Sequence, residues 1–179
     1  MTVALDDVVL VLLAEGPSSA YELWQRHTAV FGEARKVDLS RVMISVNRLE
    51  RAGLIRIEAP ATVRHGSANR LACRPTAEGR RRQASWLCAV GPDTAVDDLY
   101  VRGMLAVDAA NPATFDTFLA SGLAATRLRI SRLAAADDRD PALRARAAFD
   151  QEVARALALW LNQLPEHRRP GQEAGTVPG

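Results

Sequence analysis

A chain of 179 residues can bury one substantial core or two small ones, and 48% hydrophobic with 25% charged residues is the composition of a folded soluble protein. The net charge of +2 says little by itself about partners. No long apolar run occurs and no basic segment precedes an apolar one at the start, so the expectation is a cytoplasmic protein without membrane span or secretory signal. Cys73 and Cys88 fit reduced, packed thiols, with a redox switch as the rarer option.

In chain order, residues 3–14 predict a short helix that is apolar on nearly all sides after Asp6 and Asp7, and so is broadly buried. Glu15-Gly16-Pro17 ends it. Ser18 or Ser19 caps the next helix, with Glu22 placed for a capping box. This helix runs to about Gly32. Tyr21, Trp24 and Thr28 lie near one line with Leu23 and Phe31 beside them, which reads as a core face; His27 reads as a packed or surface residue rather than a ligand.

Residues 38–53 predict the central helix, capped by Asp38 or Ser40 and stopped at Gly53. Leu39, Val42, Met43, Val46 and Leu49 recur at three- and four-residue steps and form its apolar face. The opposite face carries Ser40, Arg41, Ile44, Asn47, Arg48 and Arg51. These can read base edges or hold phosphates, and Ile44 can touch a thymine methyl if the helix enters a major groove. Leu54–Glu58 then alternates as a strand. Asn69–Arg74 returns with Leu71 and Cys73 on one face, and the loop between carries Arg64 and His65 at its tip. Thr76 caps a further helix that contains Arg80 to Arg82. Helix, hairpin with a basic tip, then capped helix is a winged helix-turn-helix, whose tip reaches phosphates or a minor groove.

A break at Gly91-Pro92 closes the first domain, expected over residues 1–90. Asp93 or Thr94 caps the next helix, which has Val96, Leu99, Tyr100, Gly103 and Val107 on one face. Asn111-Pro112 opens another, with Phe115, Phe118, Leu119, Gly122, Leu123 and Ile130 along it. Asp140-Pro141 opens the last, where Val153, Leu157, Trp160 and Leu164 have the spacing of a helix packed on a partner helix. Residues 91–164 are expected to form a helical dimerisation and effector domain, with a self-contained bundle as the alternative. Residues 165–179 are expected to be a disordered tail.

Charge is unevenly spread. Arg35 to Arg82 holds twelve basic against four acidic residues, which gives +8, while residues 1–34 hold one base and five acids. Such a patch is the footprint of a polyanion, or else an ordinary solvated face. Three stretches carry a family resemblance. LLAEGPSSAYEL, NRLERAGLI (Asn47 to Ile55) and TAEGRRRQASWL (Thr76 to Leu87) resemble, in order and spacing, the PadR family of bacterial transcriptional regulators over residues 5–88. The chain departs from that pattern at Ala20, at Met43-Ile44 where the family has Tyr-Pro, and at Cys73 where an aromatic is common. The resemblance implies a helical C-terminal domain that forms a homodimer, and a response to small aromatic or drug-like molecules.

No zinc pattern links His27, His65 or His167 to the cysteines, and no phosphate loop or nucleophile elbow occurs, so neither an enzyme nor a cofactor or metal is expected. Asp6-Asp7, Asp97-Asp98 and Asp137-Asp138 are expected to serve helix dipoles. The fold class expected is mainly α with a small β-hairpin: an N-terminal winged helix-turn-helix and a C-terminal helical dimerisation domain. The expected function is a sequence-specific DNA-binding regulator, a repressor relieved by a small ligand. Double-stranded DNA with a pseudo-palindromic operator, a second copy of the chain and an effector are its partners. Ser18, Ser19, Arg35 and Lys36 sit near phosphates; Ser40, Arg41, Ile44, Asn47, Arg48 and Arg51 face the major groove; Arg64 and His65 make the wing contact. Trp86, Tyr100 and Trp160 can line a ligand cavity or simply pack. The alternative is a winged-helix interaction module whose basic face takes an acidic protein.

Overall fold

A computed structural model describes residues 4–58, 71–135 and 140–168. Helix α1 (Leu5–Leu12) runs into a 3₁₀ turn (Leu13–Glu15), and Val8 to Leu13 are all buried, as an all-round apolar helix requires. Gly16, at φ 140°, makes the exit that a side chain would strain. Helix α2 (Ala20–Phe31) then starts on a complete capping box: the Ser19 hydroxyl accepts from the Glu22 amide, and the Glu22 carboxylate accepts from the Ser19 amide at 2.7 Å. Its buried line is Leu23, His27 and Phe31. Tyr21 is exposed and Trp24 and Thr28 are half-buried, so the predicted core line is displaced by one helical row. Trp24 instead donates its indole N–H to the Val37 carbonyl at 2.9 Å and so fixes the chain entering the next helix.

Helix α3 (Leu39–Arg51) starts at Asp38, whose side chain makes no capping hydrogen bond. Val42, Ser45, Val46 and Leu49 are buried. This corrects the expected apolar face: Met43 is 51% exposed, and Ser45 takes an inner position because its hydroxyl donates to Asp6 at 2.6 Å. Gly53, at φ 70°, closes the helix. Strands β1 (Ile55–Glu58) and β2 (Ala72–Pro75) pair antiparallel, with Ile55 opposite Pro75 and Ile57 opposite Cys73. Ile55 and Cys73 point inward. Leu71, expected on the Cys73 face, precedes the strand and is exposed. The Ser18 backbone adds a further rung, exchanging both hydrogen bonds with Cys73 at 2.9 and 3.2 Å.

Helix α4 (Ala77–Cys88) is capped by Thr76, whose hydroxyl accepts from the Gly79 amide at 3.1 Å and donates to the Gly53 carbonyl at 2.8 Å. Glycine is required at 79: a Cβ there would sit 2.0 Å from the Leu54 carbonyl oxygen. Gln83 binds the Leu10 and Val11 carbonyls, which satisfies the open end of α1. Residues 2–86, with 108–110, form one unit of the chain; residues 87–107 and the chain from 111 form the other.

In the second unit the helices are α5 (Val96–Ala109, which ends in the first unit), α6 (Pro112–Ala134) and α7 (Pro141–Gln163), followed by a 3₁₀ turn (Leu164–His167). Asn111 and Asp140 cap α6 and α7 as expected, each with proline in the first turn. Ahead of α5, the Thr94 hydroxyl accepts from the Gly91 amide at 2.9 Å, and Val96, expected on the packed face, is exposed. Leu87, Leu99, Leu105, Phe115, Phe118, Leu161 and Leu164 are among the large core side chains of this unit. Gly122 lets Leu161 lie against α6, and Gly103 leaves room for the Trp160 ring, 2.3 Å from where a Cβ would stand.

Candidate nucleic-acid interface

The N-terminal unit is a winged helix-turn-helix: α2 and α3 form the helix-turn-helix, and the β1–β2 hairpin with α4 follows directly. Burying Val42, Val46 and Leu49 turns the other side of α3 outward. Ser40, Arg41, Ile44, Asn47, Arg48 and Arg51 are all exposed there. The six residues therefore share one solvent face, as the helical spacing requires.

The basic residues of this unit have different surroundings. Arg41, Arg51 and Arg56 are exposed with no acid in ion-pair range among the described residues. Arg48 lies 3.9 Å from Asp6 and is 65% exposed, a pair worth less than about 1 kcal/mol after solvent screening. Lys36 is paired with Glu33, Arg74 with Glu58 and Arg81 with Glu78. Arg82 reaches Asp7, which is buried. Asp6 and Asp7 thus do more than favour the dipole of α1: one holds Ser45 and Arg48 of α3, the other Arg82 of α4. Nothing in the sequence of α1 alone signals that role.

The remaining expected contacts are distributed as follows. Ser18 is half-buried and is held by its backbone to Cys73; Ser19 is buried, with its hydroxyl committed to Glu22. Arg35 closes the short turn Glu33–Arg35 ahead of α3, beside exposed Lys36. Arg64 and His65 lie outside the described residues. Tyr100 and Trp160 come together as a stacked pair, centroids 5.9 Å apart, over Gly103 in the second unit, while Trp86 belongs to the first. Direct packing is what this ring geometry does.

Three features escaped sequence reasoning: the exposure of Met43 and Leu71, the inward Ser45, and a groove. The groove is open, about 390 Å³, and is lined by Tyr21, Met43, Asn47, Ile57, Leu71 and Cys73, among others. Burial first, and Glu50 second, push the Cys73 thiol above its ordinary range. Burial likewise raises the Cys88 thiol, against the opposing pull of Arg102.

No family model matches the chain, and no curated protein matches it. Among solved structures it is similar to Bacillus subtilis PadR in complex with operator DNA, at 16% identity and a TM-score of 0.45, covering 93% of this chain and 99% of that one. It is also similar to the Streptococcus mutans protein smu.1604c, at 17% identity and TM-score 0.38, covering 90% and 98%. A further similarity is to Bacillus subtilis PadR in complex with p-coumaric acid, at 16% identity and TM-score 0.38, covering 91% and 98%.

Proposed function

We propose that this chain is a homodimeric, sequence-specific DNA-binding transcriptional regulator of the PadR type, acting as a repressor relieved by a small ligand. The observation that carries the reading is the solvent face of α3. It presents Arg41, Asn47, Arg48 and Arg51 in a row on a rigid helix, followed at once by a hairpin bearing Arg56 and Arg74. A helix so placed enters a major groove, with phosphate contacts from Lys36 and the wing setting its register. The three sequence stretches that resemble the PadR family support the same reading.

Dimerisation is supported by α6 and α7, which leave Leu128, Leu143, Phe149 and Leu159 in solvent. Two-fold symmetry would present two α3 helices to a pseudo-palindromic operator. An effector is what the family resemblance implies, and quenching of tryptophan fluorescence by small phenolic acids tests it. The deciding experiment is fluorescence anisotropy on DNA from upstream of the protein's own gene, against a shuffled duplex at near-physiological salt. A preference of roughly 10³ or more supports a specific regulator. Equal, weak binding to that fragment and to a genomic library of fragments would sink the reading.

A further inference from the structure

Four large apolar side chains of the N-terminal unit stand in solvent among its described residues: Tyr21, Met43, Ile44 and Leu71, at 37, 51, 50 and 56% exposure. Single exposed apolar residues need no account, but a cluster does. Tyr21, Met43 and Leu71 line the same open groove, Asn47 lines it too, and Ile44 adjoins Met43 on α3. Met43, Ile44 and Asn47 form a triangle on the helix surface, because residues three and four apart are neighbours there. Arg41, Arg48 and Arg51 surround it, with Glu50 the one acid on the solvent side of α3. The partner that fits this patch is strongly anionic and offers small methyl groups beside hydrogen-bonding edges.

We infer that α3 reads A·T base pairs by methyl contact, with Met43 and Ile44 against thymine 5-methyl groups and Asn47 on the adenine edge. The inference rests on the DNA-binding reading above and specifies what that site selects. In the major groove adenine offers an acceptor at N7 and a donor at N6, which one asparagine amide matches bidentately, and thymine alone carries a methyl. Guanine suits arginine instead. Arg48, the arginine next to Asn47, leans toward Asp6. The centre of each half-site is therefore built on A·T pairs, and the arginines supply phosphate contacts around it.

The test begins with selection of sites by the whole protein from a pool of randomised duplexes. A·T pairs should dominate the positions under α3. Each thymine of the selected site is then replaced by deoxyuridine, which removes the methyl and leaves every hydrogen-bonding edge in place. A contacted methyl should cost about fourfold in affinity, the worth of one buried methyl or methylene group. Met43→Ala and Ile44→Ala remove exposed side chains and should leave the melting temperature unchanged. Each should abolish the deoxyuridine effect at its own position only. Selected sites centred on G·C pairs, or deoxyuridine duplexes bound as tightly as thymine ones, would overturn the inference while leaving specific DNA binding intact. Failure to enrich any sequence would remove the DNA reading itself and leave the patch to a protein partner.

Discussion

Helices α3 and α7 both leave large apolar side chains in water, but in different electrostatic company. On α3, Met43 and Ile44 lie among Arg41, Arg48 and Arg51. On α7, Leu143, Phe149 and Leu159 lie among charges of both signs that pair within the helix, Arg146 with Asp150 and Arg155 with Glu152. If these apolar surfaces take partners, the surrounding charge sets the kind. Positive charge in excess suits nucleic acid, and a helix with charges of both signs suits a copy of itself, since identical surfaces of one sign repel.

The largest expected effect comes from placing a charge on α7. Phe149→Asp with Leu159→Asp should turn a dimer into a monomer in sedimentation equilibrium, and operator affinity should collapse with it. A variant that remains dimeric would place the interface elsewhere. Next in size, Asn47→Ala should cost roughly 1–3 kcal/mol of specific binding and leave the oligomeric state unchanged. That separation of effects is what distinguishes the two helices. Arg48→Ala should cost the same roughly 1–3 kcal/mol only if its guanidinium leaves Asp6 for a base. If Arg48 holds a phosphate, the loss is uniform across sequences and the salt slope falls by about one. Asp6→Asn sharpens this: it removes the Arg48 pair, and binding to non-specific DNA should tighten by less than about fivefold.

The smallest expected effect concerns the platform beneath α3. Burial holds the His27 imidazole below its usual value of 6.5, and its Nδ1 has no partner among the described residues. The unfolded chain therefore takes up a proton that the folded chain resists. Stability is full above about pH 6.5 and falls as the pH drops through the depressed folded value. Thermal melts of the protein and of His27→Leu at about pH 7.5 and 5.5 check this, with a smaller acid-induced loss expected in the variant.

Periodicity and capping made most of the fold legible in the sequence. The Ser19–Glu22 box, the Gly53 stop, the Thr76 cap and the proline-led starts of α6 and α7 are local signals, set within a few residues of one another. The errors arose where a distant residue decides. Ser45 turns inward because Asp6, thirty-nine residues earlier in the chain, accepts its hydroxyl. Met43, on the edge of the apolar arc, is left outside as Ser45 takes the inner place. Trp24 leaves the core line for the Val37 carbonyl. At the candidate site the solvent face of α3 was legible from its spacing, whereas the groove was not, since residues from four elements or their flanks line it.

The rung between Ser18 and Cys73 is made entirely by main-chain groups. An alanine scan would not report on the rung itself, because trimming either side chain leaves both hydrogen bonds in place. Yet this rung ties the start of the helix-turn-helix to the wing. Only a change to the backbone itself, such as proline or an ester linkage at residue 73, removes the rung and shows what it holds together.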